Sequence, residues 1–358
     1  MTKKREGQLW DSSFVKTITS LAPGTQLREG LENVLRAKMG ALVVVADYHS
    51  IVGLVDGGFA LNCDFTPARF YELAKMDGAL VLSGDTKRIL FANAQLVPDA
   101  NISTSQTGTR HRTAERMARQ TGALVIAISQ RRNVITLYLG HESYTLRDIN
   151  VILYRANQAL QTLERYRQVL AKGIMALNAL EFQDQVTLKD VAYVLIKAEQ
   201  VHRIVREIER HIIELGREGN LICMQMEELL PEEDEEMLLI RDYCIHGDRQ
   251  GQEDVREQLF KMPEESLDPI TVCQLLGYGS GPNVLEIPVV PRGYRILRRV
   301  PRLPMNVIEN LVNRFKTLPP IYNATLQDLD HVDGIGETRA RSIKEGLKKV
   351  RETIMVRQ

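Results

Sequence analysis

The chain has 358 residues, 44% hydrophobic and 26% charged, which is ordinary for a soluble protein of two or three domains. Its 46 basic and 46 acidic residues balance, so net charge alone indicates no class of partner. The four cysteines lack paired spacing, which argues against a disulfide framework or a zinc site. The polar residues 1–6 lead into no apolar run long enough for a signal peptide or membrane span. We therefore expect a cytoplasmic protein without membrane contact.

Residues 1–147 have the pattern of an α/β domain. Apolar residues recur at helical spacing in the segment 27–35, and the run 40–45 has the composition of a buried strand. Thr66-Pro67 is a typical helix start, with a capping hydroxyl before proline. Three further strands are predicted at Ala79–Leu82, Leu124–Ser129 and Val134–Leu139. Uninterrupted apolar strands that alternate with helices predict a sheet covered on both faces.

The segment Met76-Asp77-Gly78-Ala79 lies between a predicted helix and a predicted strand. A lone carboxylate such as Asp77 can bind Mg²⁺ or Mn²⁺, which prefer oxygen ligands and usually bridge to substrate phosphates. Gly78 allows the backbone to approach a ligand closely or to adopt a conformation that other residues avoid. The alternative interpretation is an ordinary Asp-Gly turn without a ligand.

The segment Gly108 to Thr113 carries two arginines around a histidine. The guanidinium groups of Arg110 and Arg112 have the planar donor geometry that suits phosphate oxygens. Thr109 and Thr113 add hydroxyl groups, and a helix predicted to start near Thr113 adds oriented amides. The alternative is a solvated basic patch. Gly84 to Lys87 lacks the glycine spacing of a Walker A motif and precedes a strand-like run instead of a helix, so a phosphate site here is not that of a P-loop NTPase.

Residues 148–285 are predicted to form a helical spine. One apolar stripe runs from Ile152 to Leu170, and a second follows a capping-box-like start at Thr187 and continues to Ile212. The acidic run from Glu232 to Glu236 is predicted to be a solvated loop and helix start, and it is a poor surface for DNA. His202 and His211 lie on these helices as packing or surface residues.

Residues 286–358 begin with interleaved prolines and arginines after a glycine-rich linker. The segment from Leu326 to Leu347 then resembles a helix-hairpin-helix DNA-binding motif, with Gly334 and Gly336 in the hairpin. Two glycines allow backbone amides to converge on a phosphate at the N-terminus of the second helix. The predicted DNA-binding residues are Gly334, Gly336, Thr338, Arg339, Arg341 and Lys344. Contacts of this type position a duplex without reading its sequence, so binding should be sequence-independent and salt-sensitive.

Taken together, Asp77-Gly78-Ala79 and Arg110-His111-Arg112 resemble the paired signature of the diadenylate cyclase family. The neighbouring segments 71–79, 110–116, 21–25 and 332–336 extend the resemblance over essentially the whole chain, including the C-terminal hairpin. The resemblance implies an N-terminal α/β domain with a central mixed sheet flanked by helices. It also implies synthesis of cyclic di-AMP from two ATP molecules with Mg²⁺ or Mn²⁺, facing cyclase domains in a homo-octamer, branched DNA as a partner, and nucleoid association.

The resemblance also implies roles for individual residues. Asp77 binds the metal ion and can help to activate the attacking hydroxyl, while Arg110, His111 and Arg112 bind and orient the triphosphate. The remaining ATP-binding positions are Gly78, Leu96, Thr109, Thr113, Ser129 and Arg132. Gln130 stands where some relatives carry a charged residue, so its role stays open.

Two other classes of function compete with the enzyme. One is a DNA-binding structural protein whose nucleotide domain only senses ATP or holds an oligomer together. The intact Asp77 favours the enzyme, because a pure sensor has no need of the metal carboxylate. A nuclease or ligase is disfavoured, because the sequence has neither a cluster of metal carboxylates nor a lysine nucleophile motif beside the hairpin.

Overall fold

The computed structural model describes residues 12–230 and 234–356. Residues 1–6, on which the absence of a signal peptide was judged, lie outside these ranges, as do Glu232 and Glu233 of the acidic run. The chain forms two compact units, one comprising Met1–Gln158 with Glu207–Gln225 and the other Ala159–Arg206 with Met226–Gln358. Within the described ranges, no helix has the length and apolarity needed to span a bilayer.

The first unit contains a sheet of eight strands. The strands are β1 (Ala41–Val45), β2 (Val55–Asp56), β3 (Phe59–Asp64), β4 (Ala79–Leu82), β5 (Arg88–Leu96), β6 (Leu124–Ser129), β7 (Val134–Leu139) and β8 (Glu142–Thr145). Its helices are α1 (Ser12–Ser20), α2 (Gln26–Arg36), α3 (Tyr48–Ile51), α4 (Pro67–Leu73) and α5 (Thr109–Thr121). The predicted strands at 79–82, 124–129 and 134–139 are confirmed.

The sheet is mixed, as the family resemblance implies. Its order is β2-β5-β4-β1-β6-β7-β8, and β3 also pairs with β5. Strands β1 and β4 pair in parallel, while the other neighbours are antiparallel. Along β1, Val43 enters one hydrophobic core with residues of α1, α2 and α4, and Val44 enters another with residues of α5. The predicted coverage of both faces is therefore confirmed.

Two helix starts in this unit can be compared with prediction. Helix α4 begins as expected, with the Thr66 hydroxyl accepting from the Arg69 amide and Pro67 in the first turn. Helix α5 begins at Thr109, after Gly108, and the prediction of a start near Thr113 was wrong. The apolar periodicity that marks the helix in sequence begins only at the buried Ala114, because the first turn of α5 is polar and mostly exposed.

A β-bulge in β5 shapes the region next to Asp77. The pairing register of β4 and β5 shifts between Ala79 and Val81, and Asn93 has a positive φ of 53°. Two glycines with positive φ press against this bulge. A Cβ on Gly58 would lie 2.7 Å from the carbonyl oxygen of Ala92, and one on Gly78 would lie 2.8 Å from the carbonyl carbon of Asn93. Neither position has room for a side chain, and bulges of this type often redirect residues beside functional sites.

The remaining helices belong to the second unit or are divided between the two units. They are α6 (Ile149–Gln183), α7 (Leu188–Leu215), α8 (Asn220–Leu229), α9 (Glu235–Tyr243), α10 (Arg249–Lys261), α11 (Pro269–Leu275), α12 (Tyr294–Arg298), α13 (Met305–Phe315), α14 (Leu318–Asn323), α15 (Leu326–Asp330) and α16 (Glu337–Val356). The capping interaction predicted at the start of α7 is present, because the amide and hydroxyl of Thr187 donate to Asp190.

The acidic run behaves differently from its prediction in one respect. Asp234 caps α9 through the Met237 amide, so the predicted helix start is confirmed. Glu236, however, is only 2% exposed and lies 2.8 Å from Nδ1 of His202. The description of this residue as solvated was therefore wrong. A charge run in sequence does not reveal that one member of it faces a basic partner in the core.

A buried polar network organises the second unit. Both carboxylate oxygens of Asp242 accept backbone amides at the start of α12, with Gly293 at 2.8 Å, Tyr294 at 2.6 Å and Arg295 at 3.2 Å. The guanidinium of Arg295 contacts Glu181 of α6. Buried charges persist when they are paired and hydrogen-bonded, so these contacts fix α6, α9 and α12 together.

Candidate functional sites

The residues predicted to bind ATP come together at one edge of the sheet in the first unit. In the pairing register, Leu42 of β1 faces Ala79 of β4, and Ala41 faces Ile128 of β6. Ala79 in turn faces Ala94 of β5. The starts of β1 and β4 therefore share an edge with the ends of β5 and β6. That edge carries Asp77 and Gly78 before β4, Leu96 at the end of β5, and Ser129 at the end of β6.

Asp77 lies in the bend between α4 and β4, and its side chain is exposed. It makes no hydrogen bond or ion pair to another residue within 12–230 or 234–356. Gly78, with φ of 96°, fixes the backbone of this bend against the Asn93 bulge. An exposed carboxylate held by a rigid backbone and free of protein partners fits a divalent cation, which takes one or two carboxylates and completes its shell with water and phosphate.

Arg110 crosses the sheet edge beside a glycine that the sequence analysis did not select. A Cβ built on Gly40, immediately before β1, would overlap Nη1 of Arg110, lie 3.0 Å from its Cζ, and lie 3.2 Å from the carbonyl oxygen of Ile128. The guanidinium therefore passes over a bare backbone. In sequence, the only signal was a glycine directly before a buried strand, and glycine is common at strand ends without any ligand nearby.

His111 points into the same region from the first turn of α5. Its Nδ1 lies 2.9 Å from the phenol oxygen of Tyr138 on β7, while its Nε2 is buried without a partner among the described residues. Burial lowers the pKa of His111, and the charges of Arg132 and Arg110 lower it further. The imidazole is therefore neutral near pH 7.

Positive charge at this edge is not compensated. Arg110, Arg112 and Arg132 are exposed, and no carboxylate in the described part of the chain pairs with any of them. Further along α5, by contrast, Arg119 forms an ion pair with Glu115. The Ser129 hydroxyl accepts the Arg132 amide at 3.3 Å, which anchors the turn before β7. Unpaired guanidinium groups beside a helix N-terminus favour a polyanionic ligand.

Three other predicted positions supply hydroxyl and apolar surface. Thr109 and Thr113 lie at the start of α5, four residues and thus about one turn apart, and therefore on the same side of the helix. Leu96 is 8% exposed and packs into the core beneath α5. Leu96 can therefore offer a ligand only a small apolar surface at this edge of the sheet.

A second group of possible metal ligands lies in the other unit. Ligand atoms of Glu199, His202 and Glu236 lie within 4.8 Å of one another. Glu199 already pairs with Arg203 and Arg206, each at 2.8 Å. The acidic charge here is thus balanced by arginines, which favours an ion-pair network over a cation site.

The predicted DNA-binding residues surround the turn between α15 and α16. Gly334 has φ of 82°, and a Cβ on Gly336 would meet nothing within 4 Å. Three basic side chains are engaged in the structure itself. Arg339 donates to the Gly334 carbonyl, Arg341 pairs with Glu337 at 2.6 Å, and half-buried Lys344 donates to the carbonyls of Tyr322 and Ala324. Thr338 is exposed in the first turn of α16. The exposed backbone before α16 is therefore more available to contact a phosphate than these three basic side chains are.

A second hairpin, between α12 and α13, repeats this geometry and was not predicted from the sequence. Val300 and Val332 are both buried, and each amide donates to the carbonyl three residues earlier. Arg302, with φ of 61°, takes the place of Gly334. Leu303 is buried as Ile335 is, and Pro304 takes the place of Gly336. A cavity at this hairpin is lined by Arg298 and residues 300–304. The repeated spacing of buried aliphatic residues was its sequence signal.

The first unit is thus a nucleotide-binding α/β domain, as judged from its mixed sheet and the uncompensated cationic edge. Residues 28–143 match the family described as DisA bacterial checkpoint controller nucleotide-binding, and residues 146–285 match the DisA bacterial checkpoint controller linker region. The DNA integrity scanning protein DisA of Carboxydothermus hydrogenoformans is 57% identical over 344 residues, covering 96% of this chain and 98% of that protein.

Two further relatives have the same name. The protein of Acetivibrio thermocellus is 51% identical over 348 residues, covering 97% of this chain and 96% of its own. The protein of Symbiobacterium thermophilum is 55% identical over 342 residues, covering 95% of this chain and 96% of that protein. The chain therefore belongs to the DisA family, and it is a diadenylate cyclase, a nucleotidyltransferase.

Proposed function

We propose that the chain condenses two ATP molecules into cyclic di-AMP and two pyrophosphates, and that DNA bound by the C-terminal hairpins regulates this synthesis. In each half-reaction, the 3′-oxygen of one nucleotide forms a bond to the α-phosphorus of the other. The bond from that phosphorus to the pyrophosphate oxygen breaks, and the 3′-hydroxyl loses its proton. The proposal rests on one observation, that Asp77 lies at the same edge of the sheet as three arginines without ion-pair partners among the described residues.

The protein residues act by binding and orientation. Arg110, Arg112 and Arg132 neutralise the triphosphate and the charge that develops on the leaving pyrophosphate. His111 donates from neutral imidazole, and the hydroxyls of Thr109 and Thr113 donate from the same side of α5. Gly78 and Leu96 border the adenosine. No covalent nucleophile is required, because the substrate hydroxyl attacks directly.

Asp77 would hold the Mg²⁺ or Mn²⁺ ion. When bound, such an ion polarises the phosphoryl oxygen and lowers the pKa of a nearby hydroxyl. Asp77 suits this role because its carboxylate is exposed and forms no hydrogen bond or ion pair with another described residue. Its backbone is held by the contact of Gly78 with the Asn93 bulge.

One domain presents one set of ATP-binding residues, so a second domain must bring the other nucleotide. The exposure of Asp77, Arg110, Arg112 and Arg132 supports a reaction that is completed when two cyclase domains face each other. We propose that a homo-octamer provides these pairs. The protein would work in the cytoplasm, associated with the nucleoid.

The DNA partner is proposed to be a branched or recombination intermediate, bound without regard to sequence. Two hairpins of similar geometry support this proposal, because each ends at the N-terminus of a helix of eleven residues or more. Two phosphate contacts at a fixed separation would favour a defined arrangement of strands.

The test of the proposed reaction is mass spectrometry of products after incubation with ATP and Mg²⁺ or Mn²⁺. Asp77→Asn should abolish cyclic di-AMP synthesis while ATP binding largely survives, because the arginines remain. Asp85→Asn is the matched control, since it alters an exposed carboxylate at the opposite sheet edge. Near wild-type synthesis by Asp77→Asn would refute the metal assignment. Intact ATP with folded, oligomeric wild-type protein would favour an ATP-sensing DNA scaffold.

A further inference from the structure

We propose that Tyr138 is a positioning residue for the cyclase reaction, which holds neutral His111 with its hydrogen on Nε2, directed at a substrate phosphate. This inference rests on the proposed binding of the ATP triphosphate at the cationic edge. The observation that carries it is the pairing of one imidazole nitrogen with a buried phenol, while the other nitrogen is buried without a partner among the described residues.

The phenol of Tyr138 carries a hydrogen that needs an acceptor. Its side chain is 1% exposed and packs among Ala114, Met117 and Ala118 of α5. Burial raises the pKa of Tyr138 to about 12, so the hydroxyl keeps its proton throughout the physiological range. Nδ1 of His111, at 2.9 Å, is its hydrogen-bonding partner. A buried hydroxyl donates to such a partner, because an unsatisfied donor is costly.

This contact determines the tautomer of His111. A neutral imidazole carries one hydrogen, and the nitrogen that accepts from Tyr138 cannot carry it. The hydrogen is therefore on Nε2, which makes that nitrogen a donor. A buried donor without an acceptor in the described part of the chain, close to the positive charges of Arg110 and Arg132, suits an anionic oxygen.

The neutral donor has an advantage over a third cation at this position. Arg110 and Arg132 disfavour a positive charge on His111, as the lowered pKa of its imidazole indicates. A hydrogen bond from neutral Nε2 adds direction without adding repulsion. The two rings are arranged edge-on, with centroids 6.1 Å apart and planes at 67°.

The first test is Tyr138→Phe, which removes one oxygen and preserves the ring in the core. We expect kcat to fall about tenfold with little change in the KM for ATP, because one hydrogen bond that orients the donor is lost. Tyr144→Phe is the matched control, since it removes a second phenol hydroxyl, that of a half-buried tyrosine on the adjacent strand, which bonds to Glu214. That control should keep the wild-type kcat.

A double-mutant cycle separates positioning from a general effect on the fold. In a His111→Ala background, Tyr138→Phe should have no further effect on kcat, because its action passes through the imidazole. The same fold reduction in both backgrounds, or wild-type kcat in Tyr138→Phe, would overturn the inference. Wild-type activity of His111→Ala would instead refute the proposed role of His111 itself, so the two failures are distinguishable.

A second pair of variants applies even if Tyr138→Phe does not fold. The side-chain amide of glutamine reaches about as far as Nε2, whereas that of asparagine reaches only about as far as Nδ1. His111→Gln should therefore retain several-fold more activity than His111→Asn. Equal activity of the two variants would exclude Nε2 as the working donor.

Discussion

Gly40→Ala provides a sharp test of where Arg110 acts. The added methyl group would overlap the guanidinium and approach the Ile128 carbonyl oxygen to 3.2 Å. Gly40 has no positive φ, so alanine fits the backbone, and loss of glycine's freedom in the unfolded chain stabilises by about 0.4–1 kcal/mol. The clash is with the exposed tip of a flexible side chain. The expected result is therefore a nearly unchanged melting temperature with a displaced Arg110.

The effect on activity follows from the hydrogen bonds that Arg110 would lose. A hydrogen bond from a charged group contributes about 1.5–3 kcal/mol. At 1.36 kcal/mol per factor of ten, kcat/KM should fall about 10- to 150-fold. Initial rates of cyclic di-AMP formation, measured by chromatography over a range of ATP concentrations, provide the assay.

The matched control is Gly84→Ala at the opposite edge of the sheet. Its Cβ would also meet the tip of a flexible side chain, at 2.7 Å from Oδ1 of Asp47. We expect this variant to keep wild-type kcat/KM. If Gly40→Ala were as active as Gly84→Ala, the position of Arg110 over Gly40 would not be its working position.

Two predictions concern the rest of the chain. Cutting after residue 147 should leave a cyclase that DNA no longer regulates. The truncated protein should melt at a lower temperature, because Ile213 packs against the core of the first unit and Glu214 bonds to Tyr144. Turnover with and without branched DNA tests this prediction, and a persisting DNA response would contradict it. Gly336→Val should weaken DNA binding without loss of stability, because a side chain there meets open space while it blocks a phosphate. Gly281→Val, at another open glycine, is the control in a salt-dependent binding titration, and equal affinities would argue against the hairpin contact.

Elements with strong local signals were predictable from the sequence. Strand β1 is a short apolar run, and α4 begins with a capping threonine and a proline, so local composition determines both. The strand-like run expected after Lys87 is present as β5, whereas β3 was not predicted, because its residues are mostly exposed and lack the pattern of a buried strand. The start of α5 was misplaced for a related reason, since the polar first turn contributes nothing to the apolar period.

Contacts between distant segments were not predictable. Gly40 lies beside Arg110 only because α5 packs across the starts of the strands, and Tyr138 meets His111 only through the same packing. The hairpin between α12 and α13 was not predicted, because Arg302 and Pro304 stand at the positions where the hairpin between α15 and α16 has its two glycines. Residue chemistry together with the family resemblance therefore selected Asp77 and the Arg110-His111-Arg112 segment as candidates, whereas the residues that contact them required the fold.

The site combines features that each reduce the stability of a folded chain. Asn93 adopts a left-handed conformation, Gly58 and Gly78 lose the freedom that glycine has when unfolded, and Nε2 of His111 is buried without a protein acceptor among the described residues. Three arginines near one another add repulsion. Such conflicts persist only where surrounding structure enforces them, and here the two cores on either side of β1 supply that support. A polyanion with a divalent cation would relieve the repulsion and satisfy Nε2, so ATP with metal should raise the melting temperature of the wild-type chain more than that of Asp77→Asn.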